Sequence, residues 1–327
     1  MSSKLRRGYT TGVHTSFAFK SALDTFLITN QKSISITKKM DNDDLDITKG
    51  CEIVVTISDR LDDLKLNSIS HNPYILNNLK LYAGIGVGIV TKEGLKPPKD
   101  YPAINPTPLK AIENIYNRFG KKRKIFVSIS VTNGKELAKQ TANNKVGVLG
   151  GISILGTTGF VKPISSTAYI NSIRTELNFI KANSFNKAIL TLGNSSFNYA
   201  KEHYKKEQIV EIGNFVYDSF KIADELKIEE IVFICGIGKA VKVAQGYKNT
   251  HNRFGSIDFI KLKNNIKEEL GIDVDIEKSK TVKGLSLQLK EIGKIKNFFK
   301  IIVKKTNNRL NRWFIDFNNI RVILIEN

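Results

Sequence analysis

The chain has 327 residues, of which 41% are apolar, so it is long and apolar enough for about two packed domains and does not have the composition of a disordered protein. Its formal charge of +20 points to an anionic partner (nucleic acid, a membrane surface or an acidic small molecule), although scattered lysines also suit ordinary solvated faces. Two distant cysteines, Cys51 and Cys235, exclude a disulfide framework or a zinc site, and no apolar run approaches the ~20 residues of a membrane span.

The first half of the chain predicts a mixture of helices and short strands. A helix of about four turns should begin near Gly12, because apolar residues recur there at helical spacing after threonines that can cap it. Residues 33–37, 51–58 and 124–131 alternate as strands do, and the acidic residues 41–46 suit a loop. Residues 80–110 contain five prolines, which predicts a long loop and a next helix near Leu109.

The second half of the chain repeats a strand, a glycine turn and a helix. The apolar runs 188–192, 208–212 and 230–235 end in glycine turns, and residues 321–325 read as a final strand. Ligands of such parallel sheets lie beyond the carboxyl ends of the strands. We therefore predict an α+β domain at residues 1–158 and a three-layer, Rossmann-like α/β domain at residues 159–327.

Four segments could carry chemistry. Residues 7–12 open the first helix, where threonine hydroxyls and free N–H groups could bind an anion, although a plain capped helix start explains them as well. The string Gly84-Ile85-Gly86-Val87-Gly88 leads into prolines and not into a helix, so it does not fit a dinucleotide or S-adenosylmethionine fingerprint. Residues 147–159 hold so many glycines that a ligand against the backbone is the favoured explanation.

The fourth segment spans residues 236–253. Lys239 and Lys242 share one helical face near an N-terminus, where they suit an anion, but no Ser or Thr follows Lys239 as a Walker A loop requires. Among the four histidines His251 has the most suggestive neighbours, although a lone histidine is more often structural.

In the order of the chain, these segments resemble the CbiD family of cobalt-precorrin-5B (C1)-methyltransferases. The resemblance rests on Gly-Tyr-Thr-Thr-Gly at 8–12, the acidic loop 43–50, Gly-Val-Gly-Ile-Val-Thr-Lys-Glu-Gly-Leu at 86–95, Pro-Ala-Ile-Asn-Pro at 102–106, Gly-Gly-Ile-Ser-Ile-Leu-Gly-Thr-Thr-Gly at 150–159, Ile164-Ser165, Ala168-Tyr169, Asn214-Phe215, Gly238-Lys239, Lys242 and Thr250-His251. Departures from the family pattern are Cys235-Gly236, Asn252, Ser256 and the Val13-His14 pair.

The resemblance implies methylation of C-1 of cobalt-precorrin-5B to cobalt-precorrin-6A by S-adenosylmethionine, in anaerobic cobalamin synthesis. A carboxylated cobalt-corrin substrate also suits a basic chain. We expect a cytoplasmic enzyme with no protein-bound metal and no membrane or nucleic-acid partner. A homo-oligomer is possible. The predicted cofactor contacts are Ser153, Gly156, Thr157, Thr158, Gly159, Gly193, Asn194 and Asn214. The predicted substrate contacts are Thr10, Thr11, Gly12, Gly86, Gly88, Lys92, Lys239, Lys242 and Thr250, with His251 as the catalytic candidate.

Two other function classes remain compatible with the composition. A non-enzymatic tetrapyrrole or corrin carrier would bind the ring and ignore S-adenosylmethionine. A basic nucleic-acid-binding protein would be retained on DNA in a salt-dependent way, but the sequence has no helix-turn-helix, zinc or aromatic-platform signature.

Overall fold

The protein is described from a computed structural model that covers residues 8–40, 47–120, 122–156, 160–161, 166–279, 281–314 and 319–325. Contacts divide the chain into two compact units, Met1–Ser166 (unit 1) and Thr167–Asn327 (unit 2). Both units mix helices with sheets. The boundary predicted after residue 158 and the loop predicted at residues 41–46 lie outside the described residues, so both stay predictions.

Unit 1 contains many short strands and few helices. The strands are β1 (Gly8–Tyr9), β2 (Ser33–Lys38), β3 (Glu52–Ser58), β4 (Tyr74–Leu76), β5 (Leu79–Ala83), β6 (Gly86–Val87), β7 (Ile89–Val90), β8 (Ile125–Val131), β9 (Val148–Leu149), β10 (Gly151–Ile152) and β11 (Phe160–Val161). The helices are α1 (Thr11–Thr29), α2 (Pro106–Phe119) and α3 (Gly134–Lys139). The strands predicted at 33–37, 51–58 and 124–131 correspond to β2, β3 and β8.

The core of unit 1 lies between helix α1 and a five-stranded sheet of order β2-β3-β8-β5-β4, in which only β5 and β8 pair in parallel. Helix α1 forms because Thr10 caps its N-terminus by accepting from Val13 N, and it ends at Asn30 in the left-handed conformation. Phe19, Leu23 and Phe26 of α1 are fully buried, and each contributes about 1.5–3 kcal/mol of hydrophobic stabilisation.

Helix α2 begins at Pro106, earlier than the start predicted near Leu109. Proline is tolerated in the first turn because the N–H groups there have no intrahelical partner. Pro106 and Pro108 both lie in that turn, so the prediction that this proline-rich segment is not helical was wrong for its last residues.

Unit 2 alternates strands and helices. The strands are β12 (Lys187–Leu192), β13 (Ile209–Glu211), β14 (Glu230–Gly236) and β15 (Ile320–Ile325). The helices are α4 (Ser166–Ala182), α5 (Asn194–His203), α6 (Val216–Glu225), α7 (Ile237–Ala244), α8 (Phe259–Leu270), α9 (Val282–Glu291) and α10 (Ile295–Trp313). Among the described residues, no helix is both long and apolar enough to cross a membrane.

The four strands of unit 2 form one parallel sheet of order β13-β12-β14-β15. Val232 and Ile234 belong to the apolar cluster that includes Ala200 of α5, whereas the Phe233 ring contacts Phe220 of α6. Since neighbouring residues of a strand point to opposite faces, α5 and α6 cover opposite faces of β14. All four strands end at the same edge, which we call the carboxyl edge of the sheet.

Candidate functional site

The start of α1 is fastened to the second half of the glycine-rich segment 147–159. The Thr11 hydroxyl accepts from Leu155 N at 2.8 Å and lies 3.2 Å from Leu155 O, to which it donates. Gly12 N also donates to Leu155 O at 2.8 Å. Two of the predicted substrate contacts are therefore engaged with the protein's own backbone, although 144 residues separate the partners.

Gly156 continues this contact, which we call the motif junction (Thr10, Thr11, Gly12, Leu155 and Gly156). A Cβ at Gly156 would lie 2.5 Å from Thr10 Oγ1, and a Cβ at Gly12 would lie 2.9 Å from Leu155 O. A cavity of about 50 Å³ borders the junction. Its lining comprises Thr10, Gly12, Val13, Ser16, Thr107, Pro108, Ala111 and Gly156. Thr157, Thr158 and Gly159 lie outside the described residues, so their predicted cofactor contacts stay predictions.

The other glycines of unit 1 allow backbones to approach each other closely. A Cβ at Gly86 would lie 2.1 Å from Val131 O, and a Cβ at Gly88 would lie 2.4 Å from a methyl group of Val148. Gly151 pairs with Gly86 in a two-stranded parallel ladder. Close packing of the backbone is thus sufficient to explain glycine at these positions, and their predicted substrate contacts stay predictions.

Lys92 and Ser153 also have neighbours within unit 1. A Cβ at Gly147 would lie 2.8 Å from the Cβ and Cγ atoms of Lys92. The Ser153 hydroxyl donates to Asn143 Oδ1 at 3.2 Å. Both side chains are partly exposed, so a ligand contact stays a prediction for each.

At the carboxyl edge of unit 2, Gly193 and Asn194 form the exposed start of α5. Gly193 adopts φ +95°, a Cβ there would meet nothing within 4 Å, and no side chain caps the helix. Leu192 pairs with Cys235, so Gly193 and Gly236 end adjacent strands, and Gly236 precedes α7, which also lacks a side-chain cap. Uncapped helix starts leave N–H groups that favour anions.

Helix α7 brings four predicted contacts together in what we call the edge cluster (Asn214, Lys239, Lys242 and Thr250). Lys239 Nζ donates to Asn214 Oδ1 at 2.8 Å and to Thr250 O at 3.1 Å. Thr250 Oγ1 donates to the same Asn214 oxygen at 2.9 Å. Lys242 Nζ lies 3.2 Å from Thr250 O, so both ammonium groups share one carbonyl.

The electrostatics of the edge cluster are unusual because two cations lie close together. Lys242 is 5% exposed, and burial lowers the pKa of its ammonium. Burial also lowers the pKa of Lys239, and the neighbouring charge of Lys242 lowers it further. Within the part of the chain that the structure describes, neither lysine forms an ion pair with a carboxylate.

His251 follows the edge cluster in the chain, and its side chain accepts a hydrogen bond from a backbone group two residues away. Its side chain is exposed, and Nδ1 accepts from Arg253 N at 3.2 Å at the start of a short 3₁₀ turn, Asn252–Phe254. The catalytic assignment of His251 stays a prediction. Among the described residues, no group of three His, Cys, Asp or Glu side chains could hold a metal ion.

Comparison with known proteins identifies the family. The family model described as CbiD matches residues 24–163. Over 300 residues the chain is 35% identical to "Cobalt-precorrin-5B C(1)-methyltransferase" of Methanococcus maripaludis (strain C7 / ATCC BAA-1331), which covers 90% of this chain and 79% of that protein. The chain belongs to the CbiD family.

Further members of the CbiD family agree with this assignment. Proteins of the same name from Methanocaldococcus jannaschii and Clostridium perfringens (strain SM101 / Type A) are 35% and 36% identical, over 86% and 78% of this chain and 76% and 73% of their own length. A crystal structure of "cobalamin biosynthesis protein (cbiD)" from Archaeoglobus fulgidus matches 81% of this chain and 84% of its own at 22% identity. Its TM-score of 0.35 carries no weight for the fold.

The CbiD motifs separate into two groups in this structure. The motif junction and the close-packed glycines belong to unit 1, and the edge cluster belongs to unit 2. Sequence reasoning missed Leu155, Asn252 and Gly255, which supply backbone or amide partners to predicted residues. Backbone groups carry no sequence signal; Asn252 was noted as a departure from the family pattern, but its contact with Lys242 was not predicted.

Proposed function

We propose that this chain is an S-adenosylmethionine-dependent methyltransferase that methylates C-1 of cobalt-precorrin-5B, giving cobalt-precorrin-6A in anaerobic cobalamin synthesis. The observation that carries the proposal is the alignment with relatives of that name, which extends over up to 90% of the chain. The alignment with the Methanococcus maripaludis (strain C7 / ATCC BAA-1331) relative also covers 79% of that protein's length, so most of both chains takes part in the likeness.

In the proposed reaction, S-adenosylmethionine supplies an electrophilic methyl group on a sulfonium, and the ring carbon forms a C–C bond as the S–CH₃ bond breaks and its electron pair returns to sulfur. The chain has to bind both molecules, align them and exclude water. Holding two reactants in a near-attack arrangement can contribute roughly 7–11 kcal/mol to lowering the barrier. No side-chain nucleophile is required for this step.

We assign recognition of the substrate carboxylates to the edge cluster. Its two ammonium groups have no carboxylate partner among the residues the structure describes, so an anionic ligand would compensate their charge. Thr10, Thr11, Gly12, Gly86, Gly88 and Lys92 remain proposed substrate contacts of unit 1, with the reservation that packing already engages most of them.

For the cofactor, the start of α5 fits a carboxylate or a hydroxyl-bearing group. The open space beside Gly193 and the uncapped helix N-terminus at Asn194 suit the carboxylate or ribose of S-adenosylmethionine. Asn214 is a weaker candidate, because its Oδ1 already accepts from Lys239 and Thr250. Ser153, Gly156 and residues 157–159 complete the proposed cofactor contacts.

Several finer assignments belong to the same proposal. The three-layer arrangement of residues 159–327 is supported by helices on both faces of β14. The proposal also includes the domain boundary after residue 158, a location in the cytoplasm and the absence of a nucleic-acid partner, and it leaves the oligomeric state open.

The test is a methyl-transfer assay with the purified chain, cobalt-precorrin-5B and S-adenosylmethionine. The expected result is a product heavier by one methyl group, with one S-adenosylhomocysteine formed per product. Binding of the corrin without S-adenosylhomocysteine would support the carrier alternative and refute the enzyme. Salt-sensitive retention on DNA without corrin binding would support the nucleic-acid alternative.

The role of His251 can be tested in the same assay. If His251 moves a proton during the reaction, His251→Ala should lower kcat by about 100-fold or more. His203→Ala is the matched control, because His203 is an exposed histidine on α5 whose Nδ1 lies 2.8 Å from Tyr199 O. Equal kcat values for the two variants would remove His251 from the catalytic assignment.

A further inference from the structure

The two lysines of the edge cluster differ in how many of their donors are occupied. An ammonium group has three N–H donors and no acceptor. Lys242 Nζ has three acceptors: Thr250 O at 3.2 Å, Asn252 Oδ1 at 2.8 Å and Gly255 O at 2.9 Å. The Lys242 ammonium is therefore fully used inside the protein, and its side chain is buried.

Lys239 has a donor to spare. Its Nζ donates to Asn214 Oδ1 and to Thr250 O, which leaves one N–H without an acceptor among the described residues. Lys239 is also more exposed than Lys242, and it lies in the first turn of α7, where the uncapped helix N-terminus adds positive potential. Of the two cations, only Lys239 combines access with a free donor.

The three acceptors of Lys242 all belong to one segment, residues 250–255, which follows α7. Holding this segment fixes Thr250, whose carbonyl and hydroxyl in turn orient Lys239 and Asn214. Loss of the Lys242 ammonium would leave the Gly255 carbonyl and the Asn252 amide oxygen without this donor, and Thr250 O would keep only Lys239, so the segment would rearrange. Lys239 would then lose its own fixed orientation.

We infer that Lys239 alone makes the ligand contact of the edge cluster, to a single carboxylate of the anionic substrate, and that Lys242 is a positioning residue that acts through Lys239. This inference rests on the proposed function for the identity of the substrate. It goes further in separating two lysines that the sequence presents as an equivalent pair.

The test measures binding and not turnover, so it remains informative if methyl transfer fails. Uroporphyrin, a polycarboxylated tetrapyrrole, is titrated into the full chain and followed by its fluorescence. The variants are Lys239→Met, Lys242→Met and the double variant. Lys221→Met is the charge-matched control, because Lys221 is an exposed lysine of α6 in the same unit.

Lys239→Met should raise the Kd for uroporphyrin by about 10- to 100-fold, the usual contribution of a charge-assisted hydrogen bond, and should hardly change the melting temperature. Lys242→Met should lower the melting temperature and also raise the Kd. The double variant should bind no more weakly than Lys239→Met alone, since a residue that acts through another adds nothing once its partner is gone. Lys221→Met should leave the Kd within about twofold of the unsubstituted chain.

A second variant covers the outcome that Lys242→Met does not fold. Asn252→Ala removes one acceptor of Lys242 and keeps both charges. It should raise the Kd severalfold in the presence of Lys239 and leave it unchanged in the Lys239→Met background.

A pH titration adds a readout that a purely structural role would not move. Binding should be lost as the pH rises through the pKa of Lys239, which burial lowers and the charge of Lys242 lowers further. The other groups that contact the Lys239 ammonium, the Asn214 amide and the Thr250 carbonyl, are uncharged. Any folded variant that lacks the Lys242 charge should therefore lose binding at a higher pH than the unsubstituted chain.

Additive effects of Lys239→Met and Lys242→Met on the Kd would overturn the inference, because they would show two independent ligand contacts. So would absence of uroporphyrin binding to the unsubstituted chain, or an unchanged Kd in Lys239→Met. Absence of methyl transfer with normal uroporphyrin binding would instead refute the proposed function and leave the roles of the two lysines in anion binding supported.

Discussion

Replacing Thr11 by valine separates the two hydrogen bonds of the motif junction from its packing. Valine has nearly the same shape as threonine, but it can neither accept from Leu155 N nor donate to Leu155 O. Leu155 O keeps the 2.8 Å hydrogen bond from Gly12 N, so the main loss falls on Leu155 N. Thr11 is 5% exposed, which limits the access of water to the vacated position.

The expected cost of Thr11→Val follows from this geometry. A net hydrogen bond contributes about 1 kcal/mol, and a buried donor left without a partner costs about 1–3 kcal/mol. Because the Leu155 side chain is itself exposed and its N–H is only partly shielded, we expect about 1.5 kcal/mol of local stability to be lost. That corresponds to a rise of about 10-fold in the local opening of segment 151–156.

Hydrogen exchange with mass spectrometry on the full chain measures this opening directly, through the protection of the peptide that contains Leu155. Thr25→Val is the matched control, because Thr25 lies on the exposed side of α1 and its hydroxyl donates only to Ser21 O within the helix. Thr25→Val should change the free energy of unfolding by less than about 0.5 kcal/mol. Unchanged protection of Leu155 in Thr11→Val would show that the junction is not held by these hydrogen bonds.

Other positions give sharp contrasts. Gly86→Ala should destabilise unit 1 by about 3 kcal/mol in urea unfolding, because the new Cβ would lie 2.1 Å from Val131 O at a φ of +82°. Gly238→Ala is the contrast: its Cβ would meet nothing within 4 Å, so it should stabilise unit 2 by about 0.5–1 kcal/mol. Equal effects of the two substitutions would refute the packing role of Gly86. Burial and Lys39 lower the pKa of His14 below its usual 6.5, so the folded protein favours the neutral ring. Its contribution to stability is therefore present above pH 6.5 and lost as the pH falls through the lowered pKa, and His14→Gln should flatten that fall in urea unfolding; parallel pH curves would contradict it.

Local chemistry in the sequence was enough to predict much of the secondary structure. Strands β12, β13 and β14 end at glycine turns as expected, because short apolar runs followed by glycine leave few alternatives to a parallel strand and its crossover. The start of α2 was misplaced, because proline suits a helix's first turn as well as a loop. The rejection of residues 84–88 as a nucleotide loop agrees with the structure, in which strand β7 and not a helix comes directly after them.

The different roles of the two lysines in the edge cluster could not be predicted from the sequence. Helical spacing places Lys239 and Lys242 on one face of α7, and the sheet rule places both near a carboxyl edge. The spacing does not show that Lys242 donates hydrogen bonds to Thr250, Asn252 and Gly255. Nor does it show that one N–H of the Lys239 ammonium has no acceptor among the described residues. Two of the acceptors of Lys242 are backbone carbonyls, which every residue carries.

The sequence by itself determined the family, the strand–turn–helix rhythm of unit 2 and the residue types of the edge cluster, since these depend on motif order, periodicity and charge. Only the tertiary structure showed which glycines and threonines already contact another part of the backbone. Gly86 lies against Val131, and Thr11 lies against Leu155, which is 144 residues further along the chain. Glycine lacks a Cβ, so either a ligand or another stretch of backbone can approach it closely. The sequence does not distinguish these two cases, and only the folded structure shows which group lies against a given glycine.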